Sequence, residues 1–336
     1  MSTASGRDDR LRVAIVGAGR WGAQHARVFG TRPDVELCGI VARRPETAQA
    51  RARQWSTRAY TDIDAMLAAE SPDLVSVCLP NEGHVEPTSQ LIRAGVALLV
   101  EKPLAFTLAE ADRLVAEAAD RNLFVGINFN HRYAKAVQLA KQAIDAGRLG
   151  TPTFATWRFG GEGPADGHPH ANLIETQCHG LDLLEHLCGP IDSVAAQLAD
   201  PVRGSHTTLA VALHFASGAV GSLVGSYDSS YAYPDTQLVE VNGDRGRVLI
   251  EDTVRRMTFS RVGEETREVW EAGYFNDADR AFELTFDRHV DALVAALRAG
   301  DPPPVDIRAG HRAVQLADAI IRSAENGLRV ELPQLP

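Results

Sequence analysis

The chain contains no stretch of eighteen or so apolar residues, so no segment reads as a membrane-spanning helix. Its first ten residues, Met1 to Arg10, are polar and charged and lack the apolar centre of a secretory signal. Lysine and arginine form no long run, and a formal net charge of −10 leaves no footprint for a phosphate backbone, so nucleic acid is not an expected partner. Cysteine is scarce. Of four, Cys38 and Cys78 fall in apolar strand patterns and Cys178 and Cys188 in one helical segment, with no CxxC pair; buried reduced thiols in the cytoplasm account for them. No internal repeat or low-complexity tract interrupts the chain. Its 336 residues, 45% of them hydrophobic, suffice for two domains with separate cores.

The most telling stretch is the start. An apolar run, Leu11 to Val16, breaks into Gly17-Ala18-Gly19-Arg20-Trp21-Gly22 and then into a helical pattern. A strand feeding a glycine turn and a helix is the setting of a dinucleotide site. Gly17 allows the turn, Gly19 lets the backbone approach a pyrophosphate, and Gly22 lets the helix lie close to the strand with its N–H groups on the phosphates. Trp21 packs on the helix or shields the cofactor. About twenty residues on, where an acid would hold a ribose 2′-hydroxyl, stands Ala42, followed by Arg43 and Arg44. Two guanidiniums there suit a 2′-phosphate, which predicts NADP in preference to NAD; two solvated arginines at a strand tip are the plainer alternative.

Strand and helix patterns alternate to about Ile127: strands at Val35–Val41, 73–79, 96–100 and 123–127, helices from Pro45 to Trp55, 62–69, 84–94 and 108–121. Near-continuous apolar strands in such alternation predict a parallel, doubly wound sheet, with ligands beyond its carboxyl edge. After a linking helix over 134–146 the pattern becomes one of hairpins, at 152–159, 207–215, 219–227, 237–241, 247–251, 257–262 and 268–270. Helices over 281–299 and 308–326 come last. The expected organisation is a dinucleotide-binding domain over 1–130 and an α+β domain with a large, open, mostly antiparallel sheet over 131–336.

Two constellations carry chemistry. Glu101-Lys102-Pro103 directly follows a strand, which puts Lys102 at the carboxyl edge, where it can polarise a carbonyl or share a hydroxyl proton; the alternative is a surface lysine ending a strand. The second is Glu175, His179 and Asp182. In a continuous helix these share one face, and carboxylates a turn away on each side orient a histidine for proton transfer; a surface salt-bridge pattern is the alternative. His168 and His170 precede this segment in a glycine-rich loop, 160–170, that either covers a hydroxylated ligand or merely links. HxH with a distant histidine lacks the usual zinc spacing, so no metal is expected. Arg132, past the last parallel strand, reads as a substrate or cofactor contact or as a helix-start arginine.

With these motifs in view the chain resembles the Gfo/Idh/MocA oxidoreductases, which include glucose–fructose oxidoreductases and inositol dehydrogenases. The resemblance spans nearly its whole length: Gly17 to Gly22, Pro80-Asn81 with His84, Glu101-Lys102-Pro103-Leu104-Ala105, His179 to Asp182 followed by Leu183-Leu184 and Gly189, and the ending Val330 to Pro333. It implies a Rossmann domain, then an α+β domain whose sheet makes dimer or tetramer contacts, and hydride transfer at a sugar, keto-sugar, nucleotide-sugar or polyol carbon. It also implies that Lys102 and His179 line the substrate site, with His179 as acid/base. Glu175 takes the place of the family's aspartate, keeping its charge and lengthening its reach. The cofactor is expected against Gly17, Gly19, Arg20, Trp21, Gly22, Ala42, Arg43, Arg44, Leu79, Pro80, Asn81, His84, Glu101 and Lys102, and the substrate against Arg132, His168, His170 and Asp182. Two other readings stay open: a glycoside-cleaving enzyme that retains its cofactor through transient oxidation, and a non-enzymatic dinucleotide sensor. Lys102 and His179 discriminate, since a sensor has no need of either.

Overall fold

The computed structural model describes residues 9–80, 83–163, 167–200, 202, 205–273 and 277–333. The chain divides into two compact units, Met1–Asn128 with Val290–Arg308 and Phe129–His289 with Ala309–Pro336.

The first unit alternates β1 (Leu11–Val16), α1 (Arg20–Gly30), β2 (Val35–Val41), α2 (Pro45–Gln54), β3 (Arg58–Tyr60), α3 (Ile63–Glu70), β4 (Leu74–Val77), α4 (Val85–Ala94), β5 (Ala97–Val100), α5 (Leu108–Ala119) and β6 (Val125–Ile127). Among the described residues the strands form one parallel sheet in the order β3-β2-β1-β4-β5-β6. Val13 to Val16 and Leu74 to Val77 are buried without alternation, as expected of strands covered on both faces. The order reverses between β1 and β4, so the switch-point crevice lies beyond their carboxyl ends, where the glycine turn emerges. The sequence pattern missed β3. Three residues, two of them exposed at the sheet edge, carry no apolar periodicity.

The second unit contains α6 (Lys135–Asp145), β7 (Pro152–Gly160), α7 (Cys178–Cys188), β8 (Ile191–Ala199), β9 (Thr208–Phe215), β10 (Val220–Ser226), β11 (Gln237–Gly243), β12 (Gly246–Glu251), β13 (Arg256–Arg261), β14 (Arg267–Glu271), most of α9 (Ile307–Asn326) and β15 (Val330–Glu331); α8 (Glu283–Ala299) begins in it. Its sheet runs β14-β13-β12-β11-β7-β10-β9-β8-β15, antiparallel throughout except where β7 meets β10. β8 also escaped the sequence reading, because its small residues, Ser193, Ala195 and Ala196, give little contrast between faces. One face holds Trp157, Leu223, Val211 and Val239 in the core. On the other, Phe154, Val220, Val224 and Val269 stay exposed.

Among the described residues no helix is long and apolar enough to cross a membrane. All four cysteines are buried and free of disulfides.

Candidate active site

In the first unit the strand ends are laced together: Gly17 N–H donates to the Val41 carbonyl at 2.9 Å, Cys78 N–H to Val16 at 2.9 Å, and Glu101 N–H to Val77 at 2.9 Å. Gly17 has φ +118°, and a Cβ there would collide with the Cys78 carbonyl; one on Gly22 would collide with the Gly17 carbonyl. Among the described residues, chain neighbours aside, a Cβ on Gly19 would meet nothing within 4 Å. Gly19 is the N-cap of α1 and gives its first turn no side-chain cap, nor does that turn hold an acid. Open space over Gly19 and uncapped helix N–H groups fit a pyrophosphate. Arg51, which the sequence reading did not single out, brings its guanidinium to the Ala18 carbonyl at 3.5 Å and adds positive charge beside the turn.

Arg20 and Trp21 are exposed at the start of α1. Ala42 is buried and Arg43 and Arg44 are exposed beyond β2, Arg44 lying 3.8 Å from Glu46. Leu79 is half-buried and Pro80 exposed; Asn81 lies outside the described residues. His84 is buried, its Nε2 2.9 Å from the Leu104 carbonyl, so its ring ties α4 to the segment after Lys102. Lys102 is half-buried at the end of β5, and its peptide bond to Pro103 is cis. Glu101 is buried, with its carboxylate held by other residues of the unit.

In the second unit the structure corrects one premise: Glu175, His179 and Asp182 do not lie on one continuous α-helix. Asn172–Thr176 is a π-turn, closed by Gln177 N–H donating to the Asn172 carbonyl at 2.9 Å, and α7 starts only at Cys178. The cause is Gln177. Its buried side chain accepts from Trp157 Nε1 at 2.7 Å and donates to Asn172 Oδ1 at 2.9 Å. The widened turn aims that amide inward and displaces Glu175, half-buried, from the helix that carries His179. Such single π-turns are frequent at functional sites. α7 then comes so close to β7 that a Cβ on Gly180 would stand 2.5 Å from the Trp157 ring.

His179 is buried and stacks on His131, with ring centroids 4.0 Å apart and planes at 9°. Phe129 meets His179 edge-on at 5.9 Å and Phe282 meets His131 edge-on at 5.4 Å. Parallel imidazoles this close disfavour two simultaneous positive charges. His131 was not among the sequence candidates; only its place one residue before Arg132 pointed to it. Arg132 and Asp182, both expected at the substrate, grip each other: Nε donates to Oδ2 at 2.9 Å and a terminal nitrogen to Oδ1 at 2.5 Å. Burial pushes the Asp182 carboxyl up, and the guanidinium offsets part of this. His168 and His170 sit with His206: His170 N–H donates to His168 Nδ1 at 3.2 Å, and His170 stacks on His206 at 4.8 Å. Burial, then the neighbouring His206 and His168, lowers His170 to about 4. Residues 164–166 of the same loop are outside the described residues. Among the described residues no three His, Cys, Asp or Glu side chains are grouped to hold a metal ion.

The family profile described as "Oxidoreductase family, NAD-binding Rossmann fold" matches residues 11–129, and its companion, "Oxidoreductase family, C-terminal alpha/beta domain", matches 141–332. An inositol 2-dehydrogenase of Rhizobium meliloti strain 1021 is 26% identical over 96% of this chain and 99% of its own. A D-glucoside 3-dehydrogenase of Escherichia coli K12 is 28% identical over 96% of this chain and 97% of its own. The solved structure of a levoglucosan dehydrogenase in complex with NADH shares the fold, with a TM-score of 0.88 and 20% identity over 97% of this chain and 100% of the other.

Proposed function

Because the chain belongs to the Gfo/Idh/MocA oxidoreductase family, we propose that it transfers a hydride between a nicotinamide cofactor and a carbon of a sugar or polyol. The observation that carries this reading is the presence in one chain of an open, uncapped glycine turn with Lys102 at the same sheet edge, together with a buried histidine, His179, held by aromatic neighbours. The curated relatives compared above act, by name, on inositol and a glucoside, which sets the substrate class.

The bound nicotinamide supplies the hydride acceptor or donor. The chain's residues do the rest. The α1 N-terminus and Gly19 would hold the pyrophosphate; Lys102 is proposed to polarise a substrate oxygen and His179 to exchange a proton, with Glu175 orienting the substrate or the imidazole. Arg132 serves as the counter-charge of Asp182. His168 and His170 are proposed as hydroxyl contacts. Exposed Arg43 and Arg44, with no carboxylate at Ala42, favour NADP over NAD. Buried cysteines without disulfides suit the cytoplasm.

A panel of sugars and polyols, inositols and glucosides included, followed by nicotinamide absorbance with both cofactors, tests the reading. The expected result is turnover of at least one polyhydroxylated substrate; absence of turnover across the panel, with tight cofactor binding, points instead to a sensor. The uncovered sheet face, with Phe154, Val220, Val224 and Val269 exposed, is proposed to join copies into a dimer or tetramer, which light scattering at micromolar concentration checks.

A further inference from the structure

Beneath Lys102 lies a closed group of polar side chains from four elements. His25 of α1 places Nδ1 2.5 Å from Ser76 Oγ of β4 and Nε2 2.7 Å from Glu101 Oε1 after β5. Asn128, just after β6, donates Nδ2–H to the same Oε1 at 2.6 Å, and the Lys102 N–H donates to Oε2 at 3.3 Å. His25 and Ser76 are completely buried, and Glu101 and Asn128 nearly so. A serine, a histidine and an acid in hydrogen-bonded series have the order of a nucleophilic triad, but a hydroxyl sealed from solvent can attack nothing. The other end of the series is the Glu101 carboxylate, which meets the Lys102 main chain.

A carboxylate is costly to bury without partners. Burial by itself would raise Glu101; the hydrogen bond from His25, attraction to His25 and Lys102, and the Asn128 bond together outweigh it and hold the group below the ordinary carboxylate range. Cys78 and His84, both buried, also sense this charge. The charge is therefore fixed on one spot by three donors, next to the lysine to which the proposed function assigns the substrate oxygen.

We infer that Glu101 is a positioning residue for Lys102: its buried carboxylate, clamped by His25 and Asn128, anchors the lysine's main chain and serves as counter-charge to its ammonium. This rests on the hydride-transfer reading for its catalytic meaning, but not for its test. The chain has three lysines, Lys102, Lys135 and Lys141, so trace acetylation with acetic anhydride, read by peptide mass spectrometry, reports Lys102 against two internal controls without any substrate. Glu101→Gln keeps the shape and removes the charge. Relative to the other two lysines, Lys102 should become about fivefold more reactive as its counter-charge is lost. His25→Gln, which removes one clamp and leaves the charge, should give a smaller rise. Turnover on an accepted substrate should fall about 10²-fold in Glu101→Gln through misplacement of the lysine, and NAD and NADP affinities by calorimetry should fall far less than turnover in both variants. If Glu101→Gln does not fold, His25→Gln decides by the same ratio. Parent-like Lys102 labelling in the folded variants overturns the inference, as does a loss of cofactor affinity equal to the loss of turnover, which makes Glu101 merely structural. A parent protein that turns over no polyol counts against the function and leaves the labelling result readable.

Discussion

β1 and β9 show how differently the two units are built. From Val13 to Val16 every side chain of β1 is buried, whereas β9 alternates, with Leu209, Val211, Leu213 and Phe215 inside and Ala210 and Ala212 exposed. The first strand lies between helices and ends in a turn made of main chain, so its candidate ligand contacts are N–H groups and open space over Gly19. The second belongs to a sheet with one bare face, and the candidate chemistry beside it is all side chain: a π-turn aimed by Gln177, a histidine stack and a buried ion pair. A backbone site tolerates many side-chain changes around a few glycines. A side-chain site fails one residue at a time.

The largest effects should therefore come from single side chains. Lys102→Met and His179→Ala are each expected to lower turnover by about 10²–10⁴ while calorimetry shows parent-like cofactor binding. If His179→Ala turns over normally and Lys102→Met does not, the proton travels by another group, with His168 and His170 next to be tested.

Next in size is the Arg132–Asp182 pair. Arg132→Ala leaves a buried carboxylate without its bidentate partner and should cost about 3–5 kcal/mol in urea unfolding, whereas replacing both residues with apolar ones should cost much less. An Arg132→Ala protein as stable as the parent would show that the pair is a substrate contact with little part in folding.

In the first unit, Arg43→Ala should weaken NADP by about 1.5–3 kcal/mol and leave NAD nearly unchanged, since a hydrogen bond to a charged group is worth that much. Equal binding of the two cofactors by the parent would break the NADP assignment.

The smallest effect is a slope. Burial, ahead of the charges around them, holds His170 and His186 at about 4 against an ordinary 6.5. Between those values the unfolded chain binds protons that the folded chain does not. Their contribution is thus complete above pH 6.5 and is lost as pH falls toward 4, by at most about 1.4 kcal/mol per pH unit for each histidine. His170→Asn and His186→Asn should each flatten the acid side of a stability–pH curve measured by urea unfolding; an unchanged slope would place that imidazole in solvent.

The glycine turn, Lys102 at a strand end, the parallel sheet and the antiparallel half were legible in the order of residues, because each depends on local chemistry: glycine's tolerance of positive φ, apolar runs long enough for buried strands, turn residues between alternating segments. The spacing of Glu175, His179 and Asp182 drew attention to His179 on the premise of one continuous helix, which the π-turn breaks, and what surrounds His179 was not legible. His131 reaches it only because the turn at Asn130–Tyr133 and α7 fold against one another, and Arg132 and Asp182 pair across the same distance. The π-turn, too, arises from a contact, Gln177 with Trp157, that no local pattern encodes. His25 and Glu101 lie in two motifs far apart in the chain, and only the parallel sheet brings them to 2.7 Å. The sequence by itself determined where the backbone turns and which strands are buried, since those follow from the conformational freedom and hydrophobicity of neighbouring residues. Only the tertiary structure decided which buried polar groups meet, because a hydrogen bond or an ion pair depends on distance in space, and the chain sets that distance only once its sheets have closed.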